Sequence, residues 1–119
     1  MPRDRLSQED RARLEHMVAS AQDAVSIVGR DEAGTLKMDM VRTRALVNCF
    51  TEIGEAASKL TEAGRALVGD QPWRQIVGMR NIIVHVYWGI DVAELVKSVQ
   101  QDLPGLIRAL LAALKTAEN

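Results

Sequence analysis

An all-α fold, an antiparallel up-and-down bundle of four main helices, is what this sequence predicts, and three observations predict it. Apolar residues recur at three- and four-residue steps along most of the chain, which is the period of one face of an α-helix. No segment shows the strict alternation of a half-buried strand. Residues that start or stop helices (Ser7, Gly29, Pro72, Gly89, Asp91 and Pro104) fall between the periodic stretches.

In order, residues 1–6 read as a frayed lead-in. Ser7 with Asp10 has the form of a capping box, and Glu9 and Asp10 suit the positive end of a helix dipole. Leu14, Met17, Val18, Ala21, Val25 and Val28 then mark an amphipathic first helix that Gly29 ends. Residues 30–37 read as a loop. Leu46, Phe50, Ile53, Ala57, Leu60, Gly64 and Leu67 form an apolar seam at coiled-coil-like spacing, predicting one helix of about 28 residues from near Asp39 to Leu67. Gly54, Ala56, Ala57, Ala63 and Gly64 along it would let another helix approach closely. Gly69 and Asp70 stop it. Pro72 fits the first turn of a third helix running to Val86 or Tyr87, which Gly89 breaks. Asp91 with Glu94 resembles a capping box for a fourth helix carrying Val92, Leu95, Val96 and Val99. Pro104 either kinks this helix or splits off a last one, carrying Leu106, Ile107, Leu110, Leu111 and Leu114.

Bulk properties narrow the function. The 119 residues fit a single domain, 1–119, and a 47% hydrophobic, 26% charged composition excludes wholesale disorder. No apolar run reaches the ~20 residues of a membrane span, and the lone Cys49 forms no internal disulfide, so a cytoplasmic location is expected. A net charge of −1 gives little long-range pull on nucleic acid, so any RNA contact must come from a local cluster of cations. There is no P-loop, CxxC pair, HExxH or GxSxG motif, and His16 and His85 lie too far apart in sequence, with one cysteine, to suggest zinc. No cofactor is expected.

The candidate site lies in Pro72–Asp91, which holds three of the four aromatic residues (Trp73, Tyr87 and Trp88). Its apolar run is interrupted by Arg80, Asn81, His85 and Tyr87, polar groups that need partners or a ligand if buried. A histidine can move protons near neutral pH, and an arginine presents a planar fork of donors to a phosphate. Together, without a metal, they suit cleavage of RNA by its own 2′-hydroxyl, with His85 as acid or base and Arg80 stabilising charge on phosphorus. In a straight helix positions five apart diverge by about 140°, so either the helix end distorts or a second copy completes the site across a twofold axis.

Arg80 and His85 separated by four residues, with Tyr87 two further on, resemble the signature of HepT-like toxins of the HEPN superfamily. Ile53-Gly54-Glu55-Ala56, Pro72-Trp73, Gly78-Met79-Arg80-Asn81, Trp88-Gly89-Ile90-Asp91 and Leu103-Pro104 are also similar to that family, covering the chain from about Val41. The first 38 residues carry none of its motifs. The resemblance implies a homodimeric, metal-independent ribonuclease, the toxin of a type II-like toxin–antitoxin pair, with its motifs juxtaposed across the dimer. It also implies a minimal nucleotidyltransferase antitoxin that silences the toxin by adding AMP to the tyrosine matching Tyr87.

Plainer roles stand beside these. His85 also suits a core or capping histidine, and Arg80 a structural arginine paired with Glu55, which is compatible with Glu55 holding it for RNA. Asn81 either supports the site or bonds backbone; Tyr87 and Trp88 also suit dimer packing. His16 and the N-terminal arginines read as a solvated face. The rival function is a non-catalytic module that binds a nucleotide or docks a nucleotidyltransferase.

Overall fold

The computed structural model of the chain describes residues 6–31, 36, 39–81 and 92–118. Among these residues the regular elements are all helical: α1 Gln8–Val28, α2 Met40–Ser58, α3 Glu62–Val68, α4 Trp73–Gly78, a 3₁₀ turn Met79–Asn81, α5 Val92–Gln101 and α6 Leu103–Glu118. None is long and apolar enough to cross a membrane.

Helix α1 takes Ser7 as its N-cap as expected, but the capping box is not completed, because the Asp10 carboxylate turns to Thr61. The Ser7 hydroxyl accepts the Asp10 N–H at 3.1 Å, and Gly29, at φ 55°, ends the helix where a side chain would be strained. Leu14, Met17, Ala21 and Val28 are buried as expected. Val25 is not: it is 39% exposed, and Ala24 is fully buried instead. The steps 14–17–21–24–28 keep a strict seam, and position 25 lies about 100° beyond it. Leu6 also departs from expectation, since it joins the core at 7% exposure rather than fraying.

Helices α1 and α2 pack antiparallel, because their contacts pair rising with falling numbers, Ser20 with Glu52 and Val28 with Arg42, a trend that Asp10 with Thr61 continues just past the end of α2. Arg42 closes the α1 C-terminus. Its guanidinium donates to the Ile27 and Val28 carbonyls and pairs with Asp31, so carbonyls left over at the helix end find donors.

The expected long helix from Asp39 to Leu67 is two helices, broken after Ser58. The cause is a buried carboxylate. Asp10, 2% exposed, accepts the Thr61 N–H at 3.1 Å and also the Thr61 hydroxyl. An uninterrupted helix would send that N–H to the Ala57 carbonyl, which instead accepts from Leu60 and from Arg65. Thr61 then caps α3 by accepting the Gly64 N–H at 3.1 Å. Leu60 and Gly64 remain buried through the break, so the apolar spacing reads as continuous although the backbone is not. Beyond it Val68 is buried and Leu67 only partly so. Asp10→Ala would leave the Thr61 N–H and hydroxyl unpaired, and urea unfolding should show a loss of about 1–3 kcal/mol. An unchanged midpoint would mean that Asp10 does not hold the break.

The third helix starts one residue later than expected, with Pro72 as the N-cap of α4 rather than in its first turn, and its winding tightens into the 3₁₀ turn at Met79. Its expected end at Val86 or Tyr87, and the signals at Gly89 and Asp91, lie outside the described residues. In α5, Val92, Leu95, Val96 and Val99 are all buried. Pro104 sits in the first turn of α6, where its missing N–H is harmless, so the chain splits at Asp102 rather than bending. Leu106, Leu110 and Ala113 face the core, Ile107 and Leu114 pack partly against it, and Leu111 is 45% exposed. The four main helices expected are thus six α-helical segments among the described residues. One contiguous core joins them, centred on Leu14, Met17, Leu46, Phe50, Ile53, Leu103 and Leu110.

Candidate active site

The site is built where the 3₁₀ turn lies against α2. Gly54 makes that approach possible. A Cβ there would overlap the Arg80 backbone nitrogen, and would fall 2.8 Å from the Val77 carbonyl oxygen and 3.0 Å from the Arg80 Cβ. The expectation that the small residues of this helix admit a close neighbour is met at Gly54. From the other end, α4 is anchored by its first residue: the Arg65 guanidinium stacks over the Trp73 ring at 5.3 Å while donating to the Ala57 carbonyl at 3.0 Å. The turn that carries Arg80 is therefore held against α2 both at its own backbone and one helix earlier.

With the backbone fixed, Arg80 meets Glu55. Its Nη1 lies 3.8 Å from Glu55 Oε2, with the two side chains 42% and 51% exposed. This is an ion pair open to water rather than a buried bridge, so the guanidinium is oriented yet still free to accept an anion. Glu55 Oε1 faces a second cation, Lys59 Nζ, also at 3.8 Å. Asn81 follows Arg80 at the exposed end of the turn. Of the expected site residues the fold thus brings Glu55 and Arg80 together with Asn81 alongside. His85 and Tyr87 lie outside the described residues.

Lys59 belongs to none of the sequence motifs, although its i, i+4 spacing from Glu55 is a readable signal. A polar cluster between α1 and α2 carries such a signal only within α2, in the i, i+4 spacing of Asn48 and Glu52. His16, expected merely to be solvated, is half-exposed and its Nε2 lies 3.4 Å from Glu52 Oε2. Glu52 also accepts from Ser20 Oγ at 2.8 Å and Asn48 Nδ2 at 3.1 Å. The Ser20 hydrogen bond, with those of His16 and Asn48, holds the Glu52 carboxyl below its ordinary pKa. Its stabilising contribution is therefore present above the unfolded pKa and lost as pH falls through the folded one. Burial, with Asp23 and Glu52 nearby, pushes the Cys49 thiol up to about 11, so it stays protonated at neutral pH and is no nucleophile.

Comparison with known proteins agrees with the motif. The sequence model of the family described as ribonuclease HepT-like matches residues 17–113, which include every expected site residue and reach into α1, further than the motifs alone. A protein of Methanocaldococcus jannaschii, whose name infers an RNase, is 30% identical over 94 residues, 79% of this chain and 86% of the relative. A Thermococcus cleftensis protein, named by inference as a ribonuclease HepT, is 36% identical over 62 residues, 52% of this chain and 56% of the relative. A third relative, from Caldanaerobacter subterraneus subsp. tengcongensis and also named for an inferred RNase, is 29% identical over 93 residues, 78% of this chain and 83% of its own. No solved structure matches significantly. A family match over most of the chain, on an all-helical fold that seats the motif arginine against α2, places this protein in the HepT-like family of the HEPN superfamily.

Proposed function

We propose that this chain is a metal-independent endoribonuclease, the toxin of a type II-like toxin–antitoxin pair, working in the cytoplasm as a homodimer of one HEPN-like domain. The observation that carries the reading is the half-exposed Arg80 guanidinium, held by Glu55 on a turn docked against α2. Membership of a family named for ribonuclease activity supports it. Arg80 binds the scissile phosphate and stabilises the charge that builds on its oxygens as the neighbouring 2′-oxygen attacks phosphorus, closing a 2′,3′-cyclic phosphate and expelling the 5′-oxygen of the next nucleotide, which leaves as a 5′-hydroxyl. His85 takes or returns the proton, and Asn81 helps to orient the phosphate. Purified protein should cut single-stranded RNA in EDTA as fast as without it. Binding of RNA with no cleavage under any condition would favour the rival, a non-catalytic binding or docking module.

Control is assigned to Tyr87. A minimal nucleotidyltransferase partner transfers AMP from ATP to the Tyr87 hydroxyl, releasing pyrophosphate, and so adds a phosphate charge to the motif that carries Arg80 and His85. That charge occupies the donors meant for RNA and repels the incoming backbone, so silencing needs no refolding. Co-expression with the partner should raise the mass of the tryptic fragment containing Tyr87 by one or more adenylyl units. Tyr87→Phe should remain active and unmodified. Full neutralisation of Tyr87→Phe by the partner would mean masking in place of modification.

A further inference from the structure

We propose that Lys59 is a second phosphate-binding residue of this site, so that the ligand is a strand engaging two neighbouring phosphates rather than a single nucleotide. The proposal rests on the ribonuclease reading and names the substrate feature that the site would recognise.

The geometry comes from one shared carboxylate. Glu55 turns Oε2 toward Arg80 and Oε1 toward Lys59, each at 3.8 Å. Two such gaps and the width of a carboxylate put the cationic nitrogens about 10 Å apart at most, a span that consecutive phosphates of one strand can bridge. Neither contact is short enough for a hydrogen bond, and all three side chains are about half exposed (Lys59 59%, Glu55 51%, Arg80 42%). Glu55 therefore balances the two cations in the free protein without locking either. A phosphodiester, with charge-assisted hydrogen bonds to offer, is the better partner for each.

The backbone fixes where Lys59 stands. It is the C-terminal cap of α2, its N–H bonded to the Ala56 and Ala57 carbonyls, and the chain turns away directly after it. Lys59 is thus presented at the end of the helix that Arg80 packs beside. The Asp10–Thr61 contact that breaks the helix also holds this end in place. A strand whose scissile phosphate sits on Arg80 would carry its adjacent phosphate onto Lys59. The ordinary alternative is that Glu55–Lys59 is only a helix-stabilising i, i+4 pair.

The two separate in a binding experiment with 2′-O-methyl oligonucleotides, which cannot be cleaved: a dinucleotide with one phosphate and a trinucleotide with two. Wild-type protein should bind the trinucleotide about fivefold to tenfold more tightly, with a salt slope steeper by about one. Lys59→Gln should erase that difference while leaving dinucleotide binding and the melting temperature unchanged, and Lys59→Arg should restore it. On cleavable RNA, Lys59→Gln should raise KM with kcat unchanged, as loss of uniform binding requires. Equal binding of both oligonucleotides by wild type, or a difference that survives in Lys59→Gln, overturns the proposal. If the binding pattern holds but no RNA is cut, the two-phosphate cradle stands and the nuclease reading falls. If RNA is cut and Lys59→Gln changes nothing, the cradle falls and the nuclease reading stands.

Discussion

Gly54→Ala should both destabilise the fold and cripple the site, although alanine normally strengthens a helix interior by up to about 1 kcal/mol. The added methyl would overlap the Arg80 nitrogen and sit 2.8 Å from the Val77 carbonyl oxygen. Both are backbone atoms, so no side-chain rotation relieves the clash. Relief requires the 3₁₀ turn to lift away from α2, which carries the Arg80 guanidinium away from Glu55 and from wherever the phosphate is held. An overpacking cost of about 1–3 kcal/mol exceeds the propensity gain, so the net sign is unfavourable. Cleavage should fall further than stability, by about 100-fold, because a displacement of about an ångström at a charge-stabilising group is costly to catalysis. Urea unfolding together with kcat of the folded fraction measures both. A Gly54→Ala protein that is more stable and fully active would show that the turn does not depend on this close approach.

Much of this was legible in the residues, and what was not has identifiable causes. Capping at Ser7, the stop at Gly29 and the buried stripe of α5 are local chemistry, dictated within one or two turns, and they appear as read. The break between α2 and α3 is hidden because its cause lies 51 residues away in sequence, in a buried aspartate whose neighbours signal only an N-terminal cap. The seam from Leu46 to Gly64 made the error natural, since buried spacing persists across a turn that keeps both helices on the same core. At the site, the Glu55–Arg80 pair was expected and is present. The glycine beside Glu55 reads as a close-packing position, but that its neighbour is the backbone of Arg80 itself needs three dimensions. His16 shows the converse limit: a histidine among charged residues carries no sign of a carboxylate on the next helix.

Arg80→Ala should lower RNA cleavage by about 10³-fold or more, the usual size of losing a cation that stabilises a transferring phosphorus centre. The fold should survive, because the ion pair lost is half exposed and such pairs contribute about 0–1 kcal/mol. His85→Ala should lower cleavage by about 10²- to 10⁴-fold through loss of proton transfer. The decisive measurement combines them. Arg80 lies in a 3₁₀ turn, and the proposed site draws it from one protomer and His85 from its partner across the twofold axis. In a mixed dimer of Arg80→Ala with His85→Ala, one such site loses both groups and the other keeps both. Equal mixing and free exchange make half of the dimers mixed, so two inactive proteins should together recover about a quarter of wild-type activity. Recovery should require exchange, and should not appear when either dimer is cross-linked before mixing. If the mixture stays inactive although mixed dimers are shown to form, both groups act from one chain, and the site is not shared across the twofold axis.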